Sequence, residues 1–130
     1  MGKKRFMAVL IFMLMALSLI TGCVSAPAYQ FRPGEYTGEG QGYGGTIVMR
    51  VEVDGSRIVS ITVAEHRETQ VIATPAFNRI PAQIIEKQSL AVDMVAGATA
   101  TGNGIIAGVR AALISAGATE EQLMGQGRNR

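Results

Sequence analysis

The stretch Thr46-Ile47-Val48-Met49-Arg50-Val51-Glu52-Val53-Asp54-Gly55-Ser56-Arg57-Ile58-Val59-Ser60-Ile61-Thr62-Val63-Ala64 decides the fold. In its first half Ile47, Met49, Val51 and Val53 alternate with Arg50 and Glu52. Successive side chains of a strand point to opposite faces, so these four apolar residues share one side. In the second half Val59, Ile61 and Val63 alternate in the same way. Asp54-Gly55 between two such runs is a strong turn signal. The pattern predicts an antiparallel hairpin with one apolar face, and that face needs a cover.

Downstream, the cover is predicted to be helical. Thr74-Pro75 and Pro81 mark two helix starts, because proline suits a first turn and disrupts a helix interior. The expected pieces are Pro75–Ile80 and Pro81–Gln88, the second with Ile84 and Ile85 inward. A last helix is expected from Asn103 to Ala116, where Ile105, Ile106, Val109, Ala112, Leu113 and Ala116 recur at helical spacing and Gly117 ends the run. Strands followed by helices predict a single small α+β domain, an antiparallel sheet covered by helices. Residues 119–130 are polar apart from Leu123 and Met124 and read as a polar, frayed tail.

Upstream, Gly34, Gly38, Gly40, Gly42, Gly44 and Gly45 are interleaved with Tyr36, Thr37 and Tyr43. This reads as a first strand with a glycine-rich turn, where missing side chains let a ligand approach the main chain. The domain is expected over residues 34–118. Residues 23–33, with Pro27, Pro33 and no period, read as a tether.

The N-terminus reads as an address. Lys3, Lys4 and Arg5 precede an uncharged run of fifteen residues, Phe6 to Ile20, which ends at Ile20-Thr21-Gly22-Cys23. A membrane-spanning helix needs about 20 apolar residues, so the run suits the core of a signal peptide over residues 1–22. The tetrad resembles a bacterial lipobox, in which the Cys thiol receives diacylglycerol. The expectation is an extracytoplasmic protein lipid-anchored to the membrane at Cys23, on the cell surface or the periplasmic face. Without residues 1–22 the chain has nine basic and ten acidic residues. Its basic isoelectric point therefore belongs to the signal, and no nucleic-acid partner is expected. One Cys and one His are too few for a His/Cys zinc site, and no metal is expected.

The segment that carries chemistry is Ala91-Val92-Asp93-Met94-Val95-Ala96-Gly97-Ala98-Thr99-Ala100-Thr101-Gly102-Asn103-Gly104. It sets Thr99 just before a helix N-terminus, where free backbone N–H groups attract phosphates. The same residues admit a plainer reading, with Thr99 or Thr101 serving only as a helix N-cap.

Three elements in order resemble one family. They are Gly34-Glu35-Tyr36-Thr37-Gly38 with Gly40-Gln41-Gly42-Tyr43-Gly44-Gly45, then His66-Arg67-Glu68-Thr69, then Ile84-Ile85-Glu86-Lys87-Gln88-Ser89 running on to Asp93-Met94-Val95-Ala96-Gly97-Ala98-Thr99. Together they are similar to the FMN-binding domain family. That family includes the extracytoplasmic flavin subunits of the sodium-pumping NADH:quinone reductase and the Rnf-type complexes. The resemblance implies an electron-transfer flavoprotein more than a stand-alone enzyme. It implies that a flavin transferase, using FAD and magnesium, esterifies FMN phosphate to Thr99, with Asp93, Gly97 and Ala98 as the other matching motif positions. The chain departs from the motif at Ala96, where the family usually has Ser or Thr. The lost hydroxyl removes one hydrogen bond to the phosphate or to the transferase. The His-x-Glu-Thr element implies a flavin-side place for His66, Glu68 and Thr69, and Tyr43 is a candidate to stack on the ring or else an ordinary half-buried aromatic. Redox partner proteins are implied but not identified. A non-covalent FMN-binding or sensing module and a flavin-free interaction module are the alternatives.

Overall fold

The structure, a computed structural model, describes residues 29–124. The expected signal peptide and Cys23 lie outside the described residues. The hairpin forms as its alternation demands. Strands β1 (Gly34–Gln41), β2 (Thr46–Val53) and β3 (Ile58–Glu65) make one antiparallel sheet in the order β1-β2-β3. Gly34 pairs with Val53 and Gln41 with Thr46, so β1 and β2 turn back at Gly42–Gly45. At the other end Asp54 Oδ1 accepts the N–H groups of Ser56 and Arg57, each at 2.8 Å. Those two bonds, Ser56 first, hold the Asp54 carboxyl below its ordinary range.

Ile47, Met49, Val51 and Val53 are all buried, as the alternation requires. The third strand departs from it. The register shifts between Glu52 and Val53, where Val53 pairs with Ile58 but Glu52 pairs with Ser60. This β-bulge turns Val59 outward, and Ile58 and Ile61 fill the core instead.

The cover is two long helices. Helix α1 (Gln70–Lys87) is a single helix with Pro75 and Pro81 inside it, not two pieces with proline starts. Each proline removes an intrahelical bond. Burial of Ala73, Ala76, Ile80, Pro81 and Ile84 along one face outweighs that local penalty. Helix α2 (Thr99–Ser115) starts four residues before the expected Asn103. Its glycines explain how close it lies to the sheet. A Cβ on Gly38 would sit 2.0 Å from the carbonyl oxygen of Gly108, and one on Gly40 1.9 Å from that of Gly104. Backbone meets backbone there, so any side chain at Gly40 forces β1 and α2 apart.

Both ends of the domain extend beyond the expected limits. Residues 29–33 are not tether. Tyr29 and Phe31 are buried and their rings stack with centroids 4.7 Å apart. The Phe31 N–H donates to Gly55 and the Arg32 N–H to Ala116, at 3.1 and 2.8 Å. Nor are residues 119–124 a frayed tail: Glu120–Met124 forms a short helix, α3, and Leu123 is fully buried. Its carbonyl accepts the Leu90 N–H at 3.1 Å. No helix among the described residues is long and apolar enough to cross a membrane.

Candidate functional site at the start of helix α2

Helix α2 begins without a cap. Its N-cap position is Ala98, which has no side-chain acceptor, and the first intrahelical bond is Gly102 N–H to Ala98 at 2.8 Å. The N–H groups of Thr99, Ala100 and Thr101 therefore have no intrahelical acceptor and carry the positive end of the helix dipole. The plainer reading of the two threonines as N-caps fails for both. Thr99 is the first helical residue and is exposed. Thr101 is 2% exposed and its hydroxyl donates to Glu68 Oε2.

Glu68 explains why Thr101 turns inward. This carboxylate is buried in the connection between β3 and α1, yet it accepts three bonds: from the Thr101 hydroxyl, from the Gly44 N–H at 2.5 Å and from the Tyr43 N–H at 3.3 Å. Burial by itself raises the pKa of a carboxyl. The bonds from Thr101, Gly44 and Tyr43 outweigh that effect and leave Glu68 below its ordinary value. Glu68 is thus a buried anion that staples the β1–β2 turn to the first turn of α2.

Of the other members of the His-x-Glu-Thr element, His66 bonds to Glu68, and Thr69 starts α1. His66 is half-buried against Phe77, ring centroids 4.7 Å apart, and its Nδ1 accepts the Glu68 N–H at 3.2 Å. With Nδ1 committed as acceptor, the neutral imidazole carries its proton on Nε2. Exposed Thr69 precedes α1 and its carbonyl accepts the N–H of Ile72 and Ala73. Tyr43 is not a half-buried aromatic; its side chain stands 85% exposed at the tip of the β1–β2 turn.

The segment leading into α2 is a tight turn. The Ala98 N–H donates to Val95 at 3.0 Å, and Gly97 holds φ +80°, as the third residue of a type II turn requires. Open space surrounds Gly97, and Ala96 beside it is exposed. Asp93 is not drawn toward Thr99. Its backbone exchanges hydrogen bonds with the Gln83 side chain at 3.1 and 3.4 Å, and its exposed carboxylate lies 3.9 Å from Lys87 Nζ. Among the described residues no three His, Cys, Asp or Glu side chains gather as a metal site.

Sequence reasoning missed what the glycines do here. Gly40, Gly42 and Gly44 were expected to admit a ligand. Instead a Cβ on Gly40 would strike α2, one on Gly42 would come 2.6 Å from Ile47, and one on Gly44 2.5 Å from the Arg67 carbonyl. These positions are filled by the protein itself. The readable signal was the pair Gly104 and Gly108, four apart on one helix face, with Gly38 and Gly40 on one strand face. The Gln83 clasp on Asp93 had no comparable signal.

The uncapped start of α2 with an exposed hydroxyl at its first residue suits a phosphate group. The sequence profile of the FMN-binding domain matches residues 42–114. The chain is 38% identical over 94 residues to an NADH:acrylate oxidoreductase of Vibrio harveyi, a match covering 72% of this chain and 9% of that protein. It is 30% identical over 82 residues to a urocanate reductase of Eggerthella lenta, covering 63% of this chain and 14% of that one. A Treponema pallidum protein described as uncharacterized is 34% identical over 80 residues, covering 62% of this chain and 22% of that one. In each case the match spans under a quarter of the relative. The family match covers more than half of the chain and leads to one identification: this chain belongs to the FMN-binding domain family.

Proposed function

We propose that this chain is a membrane-anchored extracytoplasmic electron carrier whose FMN is esterified through its phosphate to Thr99. The observation that supports Thr99 is the contrast between the two threonines. One is exposed at an uncapped helix start, while the other is buried with its hydroxyl committed to Glu68. Thr99 is the hydroxyl that a modifying enzyme can reach.

A threonine hydroxyl is a weak nucleophile unaided, so the reading includes a flavin transferase using FAD and magnesium. The Thr99 oxygen forms the new P–O bond, the pyrophosphate bond of FAD breaks, AMP leaves, and the hydroxyl proton passes to the transferase. The N–H groups of Thr99, Ala100 and Thr101 would then face the remaining phosphate charge. When bound, the isoalloxazine ring supplies the redox chemistry. Tyr43 offers an exposed ring on the same side of the domain, since its N–H and the Thr101 hydroxyl meet on Glu68. The anchor rests on the lipobox-like Ile20-Thr21-Gly22-Cys23.

Denaturation tests the cofactor half of this reading. Natively exported protein, precipitated in acid, keeps its yellow colour in the pellet if the link is an ester. Colour left wholly in the supernatant contradicts the ester and favours a non-covalent FMN module. The anchor half is tested by Cys23→Ala, which releases the protein from membranes or leaves it unprocessed. Unchanged processing and membrane partition contradict the lipid anchor.

A further inference from the structure

Glu68 brings a second charge to the start of α2. Its carboxylate is 7% exposed, and three donors converge on it from Thr101, Gly44 and Tyr43. Donors aimed at a carboxylate favour its charged form. Thr101 is the third residue of α2, so a full negative charge stands beside the first turn. The positive end of a helix dipole is equivalent to only about half an elementary charge. Their sum is negative, and the uncapped N–H groups do not by themselves make this place attractive to a free anion. Other charges lie nearby. Gly44, which bonds to Glu68, lines a polar cleft of about 890 Å³ together with Glu39, Glu65, His66 and Arg67. On the α1 side stand Arg79, Asp93 and Lys87. The carboxylates, guanidinium groups and ammonium of both sets are on exposed residues and screened by solvent, whereas the buried Glu68 charge is screened much less.

We propose that Glu68 keeps free phosphate-bearing molecules, FMN among them, off the start of α2, so that flavin is held there by its covalent bond and not by its phosphate charge. The inference rests on the phosphate position at Thr99 proposed above. An open helix start collects phosphates from solution. Left unguarded, it would fill with inorganic phosphate or nucleotides before a transferase arrived. Glu68 opposes this in two ways. Its charge repels a second anion. Its oxygens also occupy the Thr101 hydroxyl and the N–H groups of Tyr43 and Gly44, three donors that a free phosphate could otherwise use. The carboxylate thus acts as an internal anion that competes with an external one. Once the ester exists the repulsion no longer matters, because the phosphate cannot leave.

The test uses the full-length protein produced without transferase. FMN and riboflavin, which differ by the phosphate, are titrated into wild type, Glu68→Gln and Glu68→Asp, after thermal unfolding has shown which of them fold. Wild type should bind FMN no more tightly than riboflavin. Glu68→Gln should bind FMN several-fold more tightly than wild type, with riboflavin unchanged and the gain reduced by salt. Glu68→Asp keeps the charge and should give no such gain. Wild type that binds FMN more tightly than riboflavin overturns the inference, and this comparison needs neither variant to fold. A folded Glu68→Gln without the gain also overturns it, as does an equal gain in both variants, which would assign the effect to a loosened turn. The same wild-type preparation is then given transferase, FAD and magnesium. FMN on Thr99 leaves the underlying reading standing whatever the affinities show. Absent loading, or loading on Thr101, overturns that reading and the inference with it.

Discussion

The two ends of helix α2 are finished in opposite ways. At its C-terminal end Ala116, Ser115 and the neighbouring segments accept bonds from Phe31, Arg32 and Tyr29, and Leu123 closes the apolar gap. At its N-terminal end the helix has no side-chain cap, and its first residue points into solvent. One pole is satisfied by its own chain and the other is left with polar groups to spare. Cap residues are easy to supply, and replacing a good cap by Ala costs about 0.5–2 kcal/mol. An uncapped start beside a buried glutamate staple therefore forgoes stability that a cap residue would add. The largest stability effects should come from the closed pole, and the exposed residues of the open pole should govern flavin.

The largest stability effect belongs to the closed pole. Leu123→Ala removes a fully buried side chain and should cost about 2–5 kcal/mol. Thermal unfolding measures the loss. Protein that remains folded should load flavin as well as wild type, because Leu123 is at the pole remote from Thr99. A large loading defect in folded protein would break the comparison.

Glu68→Gln should cost less, about 1–3 kcal/mol, because it weakens three hydrogen bonds to one buried group. Its signature is pH dependence. The folded carboxyl titrates below its ordinary value, so its contribution is full above the unfolded value, about pH 4.3, and is lost as pH falls through the folded one. Wild type and variant should therefore differ most near neutrality and converge under acid. A difference that persists unchanged to pH 2 would show that Glu68 does not act through its charge.

The smallest effect is expected at exposed Ala96, where a hydroxyl is missing from the motif. Ala96→Ser should speed flavin loading by roughly 2- to 13-fold, the range that one neutral hydrogen bond of about 0.5–1.5 kcal/mol supports, with little change in stability. The readout is ester-bound flavin against time with purified transferase, FAD and magnesium. Loading of the variant beside no loading of wild type would overturn the proposed ester in the natural chain.

The parts legible in the sequence are those whose signals are local. Period-two alternation and Asp54-Gly55 marked the hairpin, and helical spacing from Ile105 to Ala116 marked most of α2. The parts that were not legible depend on partners far along the chain. Val59 alternates perfectly, but a bulge set by β2 turns it outward. Pro75 and Pro81 look like helix starts until burial of a whole α1 face outweighs them. Tyr29 and Leu123 sit in polar or proline-containing stretches, and only the closed pole gives them a core to join. Near the candidate site, the place of Thr99 at a helix start was legible because a small-residue loop runs into a helix. The Glu68–Thr101 staple was not, since 33 residues separate its partners. The resemblance named Glu68, and the structure supplied its task as an anchor for the turn and the helix start.

The difference between Thr99 and Thr101 is the point on which the functional reading turns. Trypsin releases both in one peptide, Gln88 to Arg110, since no Lys or Arg lies between. Fragmentation of that peptide, from protein exposed to transferase, FAD and magnesium, locates the added mass. The account predicts FMN on Thr99, none on Thr101, and complete loss in Thr99→Ala with its unfolding temperature nearly unchanged, as expected for an exposed hydroxyl. FMN on Thr101, or on a well-folded Thr99→Ala protein, would contradict it.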